Sequence, residues 1–420
     1  MRLVEKEQTK SDHLFWQGPT RLIAGEVEHV INCRIFLSSP GGLRIYSDNP
    51  FGFRLLGLGN NGLKIDLPGL TEPADVFIRE WFDNDRGEAT LSFQLRRSPI
   101  WSAKSEQLHF GRTAIVNFSQ YWMGSPKRLS FELKSGGWTA CFIPISEETL
   151  VMPRSMQSEN YRVTYQVEFS RGDNSVFTVA AAHKFLEHLS IFLSFCQGQW
   201  VATSLTSATD ADGALALEQW GTGRVSSWRE PSGWLDEHHG ECIVQLYDKF
   251  CSKLMDSSWN RTLSAVVYWI ARADTNTAGP DGACILLQTT LERIAWHILV
   301  IDRKILSKKL FEKLSAADQM RQMLKELSIP PAIPEGLDGL KALAGPNGLD
   351  GPGVFTLIRN RLVHPPRTEG STSLPYYEAY CLAKWYVELS VLSVCGYVGR
   401  YSNCTLKSRW KGQVECVPWA

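Results

Sequence analysis

The segment 282–306 reads GACILLQTTLERIAWHILVIDRKIL. Wound at 3.6 residues per turn, it places apolar side chains on nearly every face, the mark of a helix buried on all sides. It predicts the central helix of an all-helical unit. His297, beside Trp296, reads as a core histidine. Glu292 is the exception on this helix, because a carboxylate among apolar neighbours is costly unless paired. It is expected either to meet a bundle arginine, Arg359 being the first candidate, or to lie on an exposed edge beside Arg293.

Helical patterns surround this segment. CIVQLYDKFCSKLM and RTLSAVVYWIARA (242–273) give one or two helices, and AADQMRQMLKEL (316–327) gives a short amphipathic one that ends at Pro330-Pro331. A loop rich in Gly, Pro, Asp and Asn covers 330–352. PYYEAYCLAKWYVELSVLSVCGYVG (375–399) closes the bundle.

The first part of the chain has a different period. YRVTYQVEF (161–169) alternates apolar and polar residues, as does EATLSFQLR (88–96), and both read as half-buried strands. LSFELKSGGWTACFIPI (129–145) reads as a hairpin about Gly136-Gly137. SSPGG, SDNPFG and GLGNNG (38–63) supply turns between short strands. VAAAHKFLEHLSIFLSFCQG (179–198) is a helix with a glycine stop, followed by short strands and Gly/Ser/Trp-rich loops. The expected class is α+β in three parts. Residues 1–175 form a β-rich sandwich or barrel-like domain with a sensing or interaction role, 176–241 a mixed connector, and 242–420 a helical bundle.

Composition narrows function mainly by exclusion. The 420 residues carry 44 basic and 44 acidic side chains, so bulk charge gives no drive toward nucleic acid or anionic membrane. Any such binding needs a local patch. The N-terminus has no apolar signal core, and LSIFLSFC (189–196) is too short to span a bilayer. Ten cysteines, none spaced as CxxC, read as reduced core residues. A cytoplasmic address, no cofactor and no membrane partner are expected.

Several motifs fail on spacing. WLDEHHGEC (234–242) packs acids, histidines and a cysteine together, but adjacent residues do not converge on one ion, and a solvated loop is expected. His183 and His188 diverge around their helix. TDADG (209–213) lacks the downstream glutamate of a calcium loop, and GTG (221–223) lacks a strand-to-helix context. GxSxG, P-loop and HExxH motifs are absent.

One stretch remains. VFTLIRNRLVHPPR (354–367) gathers Arg359, Asn360, Arg361, His364 and Arg367, with no acid between Asp350 and Glu369. Asn360 and His364 share a helix face at i, i+4, and Arg359 lies one step round from it. A proline after His364 disfavours the α region there, so the imidazole sits at the helix C-terminus, where the dipole favours a cation. This set fits RNA cleavage without a metal. Arg359 can hold charge on a phosphoryl group, His364 can move a proton, and Asn360 can orient the imidazole or donate to phosphate. Arg361, Arg367, Arg409 and Lys411 would extend a positive strip for RNA, with Tyr401 and Trp410 available to stack on bases. The bland alternative is an arginine that bridges the bundle and a histidine that caps a helix.

A helical bundle bearing Arg-polar-x3-His resembles the HEPN superfamily, whose hallmark is R-x4-6-H with a polar residue after the arginine. His364 is the one histidine in the chain with an arginine at that spacing. The likeness covers about residues 245–400, and the overall layout is loosely similar to ApeA-like defence proteins. The resemblance implies a homodimeric, metal-independent endoribonuclease of a defence or toxin-type response. Arg359, Asn360 and His364 would be its catalytic residues, with Glu292 in support. A protein trigger or antitoxin would act through the N-terminal domain. The other expectation it raises is a non-catalytic HEPN protein that binds RNA or a regulatory partner.

Overall fold

The computed structural model describes residues 13–38, 42–49, 62–68, 70, 72–83, 89–96, 100–118, 129–145, 163–227, 232–274, 279–364 and 374–420. Arg367 and most of the turn-rich segment 38–63 lie outside them.

The β-rich part holds two separate units. Strands β1 (His13–Ala24), β2 (Val27–Ser38), β3 (Gly42–Asn49), β4 (Leu63–Ile65), β5 (Ala74–Asp83) and β6 (Ala89–Leu95) close into a barrel in the order β1-β2-β3-β6-β5-β4. Every pairing in it is antiparallel. Alternation supplies its core: Ile31, Cys33 and Ile35 of β2 turn inward with Leu22, Ile45, Ile65, Val76 and Phe93. The barrel closes where Leu22–Ala24 of β1 pairs with Leu63–Ile65 of β4.

The second unit is a seven-stranded sheet of order β10-β11-β12-β9-β14-β15-β7. Its strands are β7 (Ile100–Ala103), β9 (Phe110–Val116), β10 (Phe131–Ser135), β11 (Trp138–Pro144), β12 (Val163–Arg171), β14 (Thr203–Thr209) and β15 (Leu215–Trp220). The expected hairpin is β10–β11, with Gly136 and Gly137 at positive φ in its turn. β8 (Gln107–Leu108) and β13 (Phe177–Thr178) pair apart from this sheet. The expected boundary at 175/176 has to be corrected. β14 and β15, assigned to the connector, lie inside the sheet between β9 and β7. Trp220 at the end of β15 then packs into the barrel core and donates its indole N–H to the Pro68 carbonyl at 3.1 Å.

Helix α1 (Val179–Gln197) starts at Thr178, whose side chain accepts from the Ala181 N–H, and ends at left-handed Gly198. It lies against α2 (Glu241–Met255) and α3 (Asn260–Ala273), so the two patterns in 242–273 are two helices. The central helix is α4 (Gly279–Trp296), extended by a π-helical turn over His297–Asp302. It packs mainly on α3 and α9 (Tyr376–Val394) and also meets α6 (Ala316–Glu326) and α8 (Gly351–Val363). Its combined length and apolarity would suffice to cross a membrane, yet more than half of that stretch is covered by protein. His297 is buried as expected, tilted against Trp259 with 4.0 Å between centroids, and its Nδ1 lies 3.1 Å from the Thr262 hydroxyl.

A short helix, α7 (Asp338–Ala344), lies where the sequence suggested only loop, and another, α5 (Lys308–Phe311), follows the π-helical turn. The start of α7 is satisfied from afar, because the Leu340 N–H donates to Glu378 of α9 at 2.9 Å.

Sheet and helices share one core, and Gly111 shows how tightly it is filled. A methyl group at Gly111 would fall inside the Phe169 ring. That ring is boxed in by Trp138, Phe177 and Phe185. Gly111→Ala is therefore expected to lower unfolding stability by about 1–3 kcal/mol through overpacking. Urea denaturation of the full chain would measure it.

Candidate functional site

Helix α8 is fixed at one end and open at the other. Asp350 caps its N-terminus, accepting from the Gly353 N–H at 2.9 Å. Arg321 of α6 grips the same carboxylate with two hydrogen bonds, at 2.7 and 2.9 Å. Burial alone would raise the Asp350 pKa. The hydrogen bonds from Arg321 and Gly353 outweigh it and hold the carboxyl below its ordinary range. The Gly351 N–H donates to the Pro331 carbonyl, which also accepts from the Tyr386 hydroxyl. A side chain at Gly351 would collide with that hydroxyl. Residues Gly351 to Phe355 are buried in consequence.

Exposure rises along the helix. Ile358 is the last buried residue, Arg359 and Arg361 are half-buried, and Asn360, Val363 and His364 are exposed. Arg359 donates from Nη1 to the Asn360 side-chain oxygen at 3.2 Å, and its Nε has no hydrogen-bond partner. His364 occupies the C-cap, its N–H donating to the Asn360 carbonyl at 2.7 Å. A guanidinium, a carboxamide and an imidazole thus gather at the solvent end of a helix whose other end is immobilised.

The remaining site residues fall elsewhere. Glu292 accepts from Gln288 of its own helix at 2.7 Å and makes no ion pair with Arg359. It lies half-buried, which fits an edge carboxylate satisfied within one turn. Arg409 and Lys411 do not form an open basic strip. Arg409 donates to the Ser402 hydroxyl and to the carbonyls of Ser232 and Gly233, and Lys411 pairs with Glu237 at 2.6 Å. Tyr401 is buried, with Trp385 Nε1 donating to its hydroxyl, while Trp410 is exposed. These cations fasten the C-terminal tail to the connector.

The same fastening corrects the reading of 234–242 as a solvated loop. Trp234, Leu235, Asp236 and His239 are all buried. The Asp236 carboxylate accepts from the His238 and Gly412 N–H groups, and His239 Nδ1 lies 2.8 Å from Glu241. The tail brings these polar groups their partners. No cluster of three or more His, Cys, Asp or Glu suited to a metal occurs among the described residues.

Sequence reasoning missed a buried charge knot. Lys384 of α9 donates to both oxygens of Asp274, at 3.0 and 2.7 Å, with exposures of 1% and 6%. Asp274 ends α3 and also accepts from the Ser232 and Tyr380 hydroxyls. Burial disfavours the Lys384 cation, but the charges of Asp274 and Glu388 overcome this and raise its pKa. One turn on, Glu388 is 1% exposed, and neither of its carboxylate oxygens makes a hydrogen bond of ordinary geometry. Burial pushes its pKa from 4.5 to about 7 against the opposing pull of Lys384. The missed signal was Lys-x3-Glu inside an apolar helix, the same anomaly noted for Glu292. Because the knot is closed to solvent, it reads as an anchor joining connector, α3 and α9. A separate cavity of about 350 Å³ lies between the start of α2 and the tail, lined by Glu241, Cys242, Gln245, Gly399, Arg400 and Cys416, and reaches none of the groups on α8.

The Glu388 shift has a definite sign. Between pH 4.5 and about 7 the unfolded chain has lost this proton while the folded chain keeps it, so this group lowers stability as pH rises through that window. Glu388→Gln should therefore gain stability over the parent at pH 8, and the gain should vanish near pH 4. Urea melts across this range would check it.

The model of the YopA central domain matches residues 112–231, and that of the YopA C-terminal domain matches 256–416. The first match runs from β9 past β15, in keeping with β14 and β15 belonging to the sheet. No solved structure matches. The chain is similar to the SPbeta prophage-derived uncharacterized protein YopA of Bacillus subtilis (strain 168), with 26% identity over 371 residues, 86% of this chain and 82% of that protein.

Proposed function

We propose that the protein is a metal-independent endoribonuclease of HEPN type, acting from the solvent end of α8. The observation that carries this reading is the placement of Arg359, Asn360 and His364. They sit together on an exposed helix end, and no carboxylate among the described residues pairs with Arg359.

The chemistry needs a donor fork, a proton carrier and access. The 2′-oxygen attacks the adjacent phosphorus as the bond to the 5′-oxygen breaks. One proton leaves the attacking hydroxyl and another reaches the departing oxygen, so the products are a 2′,3′-cyclic phosphate and a 5′-hydroxyl. Arg359 neutralises charge on the phosphoryl oxygens. Asn360 holds the guanidinium through its side-chain oxygen and keeps its amide N–H groups for the phosphate. His364 transfers a proton. One imidazole serves the two proton steps less readily than two, and a two-fold dimer would bring a second Arg/His pair to the same strand. Arg361, and Arg367 beyond it in sequence, add positive charge near the RNA backbone.

The prophage origin in the name of the Bacillus relative fits a role in conflict between phage and host. The sheet and barrel would receive the trigger or antitoxin that restrains cleavage, and the cell interior would be the place of action.

Full-length protein incubated with RNA in EDTA is expected to cleave it. His364→Ala should slow cleavage about a hundred-fold or more, and Arg359→Ala by a similar factor. His364 is exposed, so its substitution should leave thermal stability almost unchanged. RNA retention with no cleavage by the parent would favour the non-catalytic binding protein. A large loss of stability on substituting His364 would mark it as a structural cap.

A further inference from the structure

The outer face of α3 has a composition unlike the rest of this neutral protein. Its sequence NRTLSAVVYWIARA contains no acid. Arg261, Tyr268 and Arg272 are exposed on it, and Ser264, Ala265 and Trp269 lie half-buried between them. These positions repeat at three and four residues, so they form one stripe about 16 Å long.

Neighbouring elements add to the stripe. Arg224, after β15, lies over two rings, 5.0 Å from the Trp200 centroid and 5.4 Å from that of Tyr268. Trp200 and Tyr268 meet edge to face at 5.3 Å. Arg272 approaches the Tyr268 ring at 5.9 Å and donates to its hydroxyl at 3.5 Å. Arg293 of α4 stacks over Trp269 at 5.6 Å and donates to the Arg261 carbonyl at 3.2 Å. Four guanidiniums and three aromatic rings therefore share one surface, and the paired arginines hold the Tyr268 hydroxyl below its ordinary pKa.

We propose that this face of α3, with Trp200 and Arg224 at its edge, is a docking surface for single-stranded RNA. Arg224, set over two rings, and the exposed Arg261 can turn N–H groups to phosphate oxygens, while the exposed Tyr268 ring can stack on an unpaired base. Cations spread along about 16 Å suit an extended polyanion better than a single small anion. An apolar protein partner is disfavoured by the charge density, and a duplex by the aromatic rings, which need unpaired bases. The choice of RNA rests on the ribonuclease reading above.

The test uses the full-length chain carrying His364→Ala, so that cleavage does not confound binding. Fluorescence anisotropy with a labelled oligouridylate of about a dozen nucleotides is measured across a salt series. Arg224→Gln with Tyr268→Ala is expected to weaken binding about ten-fold or more, whereas Tyr268→Phe, which keeps the ring, stays within about two-fold of its parent. Arg261→Gln touches none of the stacked rings and should make the salt slope shallower by about 0.7. No binding overturns the proposal, as does binding that all of these substitutions leave unchanged. Loss of thermal stability in the double variant with an unchanged slope in Arg261→Gln would mark the cluster as a seam holding the connector to α3. Tighter binding of oligodeoxythymidylate would put single-stranded DNA in place of RNA and overturn the assignment. Absence of cleavage by the parent, with binding lost as predicted, would remove the ribonuclease reading and leave this surface standing.

Discussion

A buried lysine and a buried aspartate hold the molecule's parts in register. Lys384 and Asp274 are drawn from α9 and α3, and Ser232 of the connector completes the set. The left-handed Gly198 that ends α1 lies against the same carboxylate, with no room there for a side chain. Ion pairs removed from water are seldom net stabilisers, because the cost of desolvation rivals the attraction gained. Their use here is geometric: either charge left alone is strongly unfavourable, so only one docking of α3 against α9 satisfies both, and Ser232 ties the connector to it. Glu388, one turn from the lysine, adds a buried acid that the same docking keeps largely protonated below pH 7.

Arg409 anchors the tail onto the carbonyls of Ser232 and Gly233, directly beside that knot. The tail in turn supplies the Gly412 N–H to Asp236 and the Gly412 carbonyl to His239. Order therefore passes from the knot outward to the chain's last segment. The grip of Arg321 on Asp350 plays the same part for α8. That helix is pinned where it is buried and carries its polar groups where it is not. Under the ribonuclease reading, this rigid base would hold half-buried Arg359 beside exposed Asn360 and His364 for positioned proton transfer.

Local pattern carried much of this into the sequence. The all-round apolarity of 282–306 marked α4, the glycine stop marked the end of α1, and Gly136-Gly137 marked the β10–β11 turn. What local pattern does not carry is pairing at a distance. β14 and β15 read as connector strands because their ladder partners, β9 and β7, lie about a hundred residues upstream. The buried turn at 234–242 looked solvated because its partners come from the tail, and Arg409 and Lys411 looked available for the converse reason. The short α7 was hidden among glycines and prolines, since its N-terminus is capped by Glu378 of another helix. At the α8 site, the residue types, helix and solvent-facing end were legible, whereas the sequence left Glu292 open between a pairing with Arg359 and an edge position beside Arg293, and the fold holds the second.

The ribonuclease reading depends on a 2′-hydroxyl being the nucleophile. The most direct test presents the full-length protein, in EDTA, with RNA strands carrying single 2′-deoxy substitutions and identifies the new termini. Cleavage should leave cyclic phosphate and 5′-hydroxyl ends, and a deoxy residue on the 5′ side of a scissile bond should abolish cutting at that bond alone. Continued cutting at the deoxy position, or 5′-phosphate ends, would contradict the account.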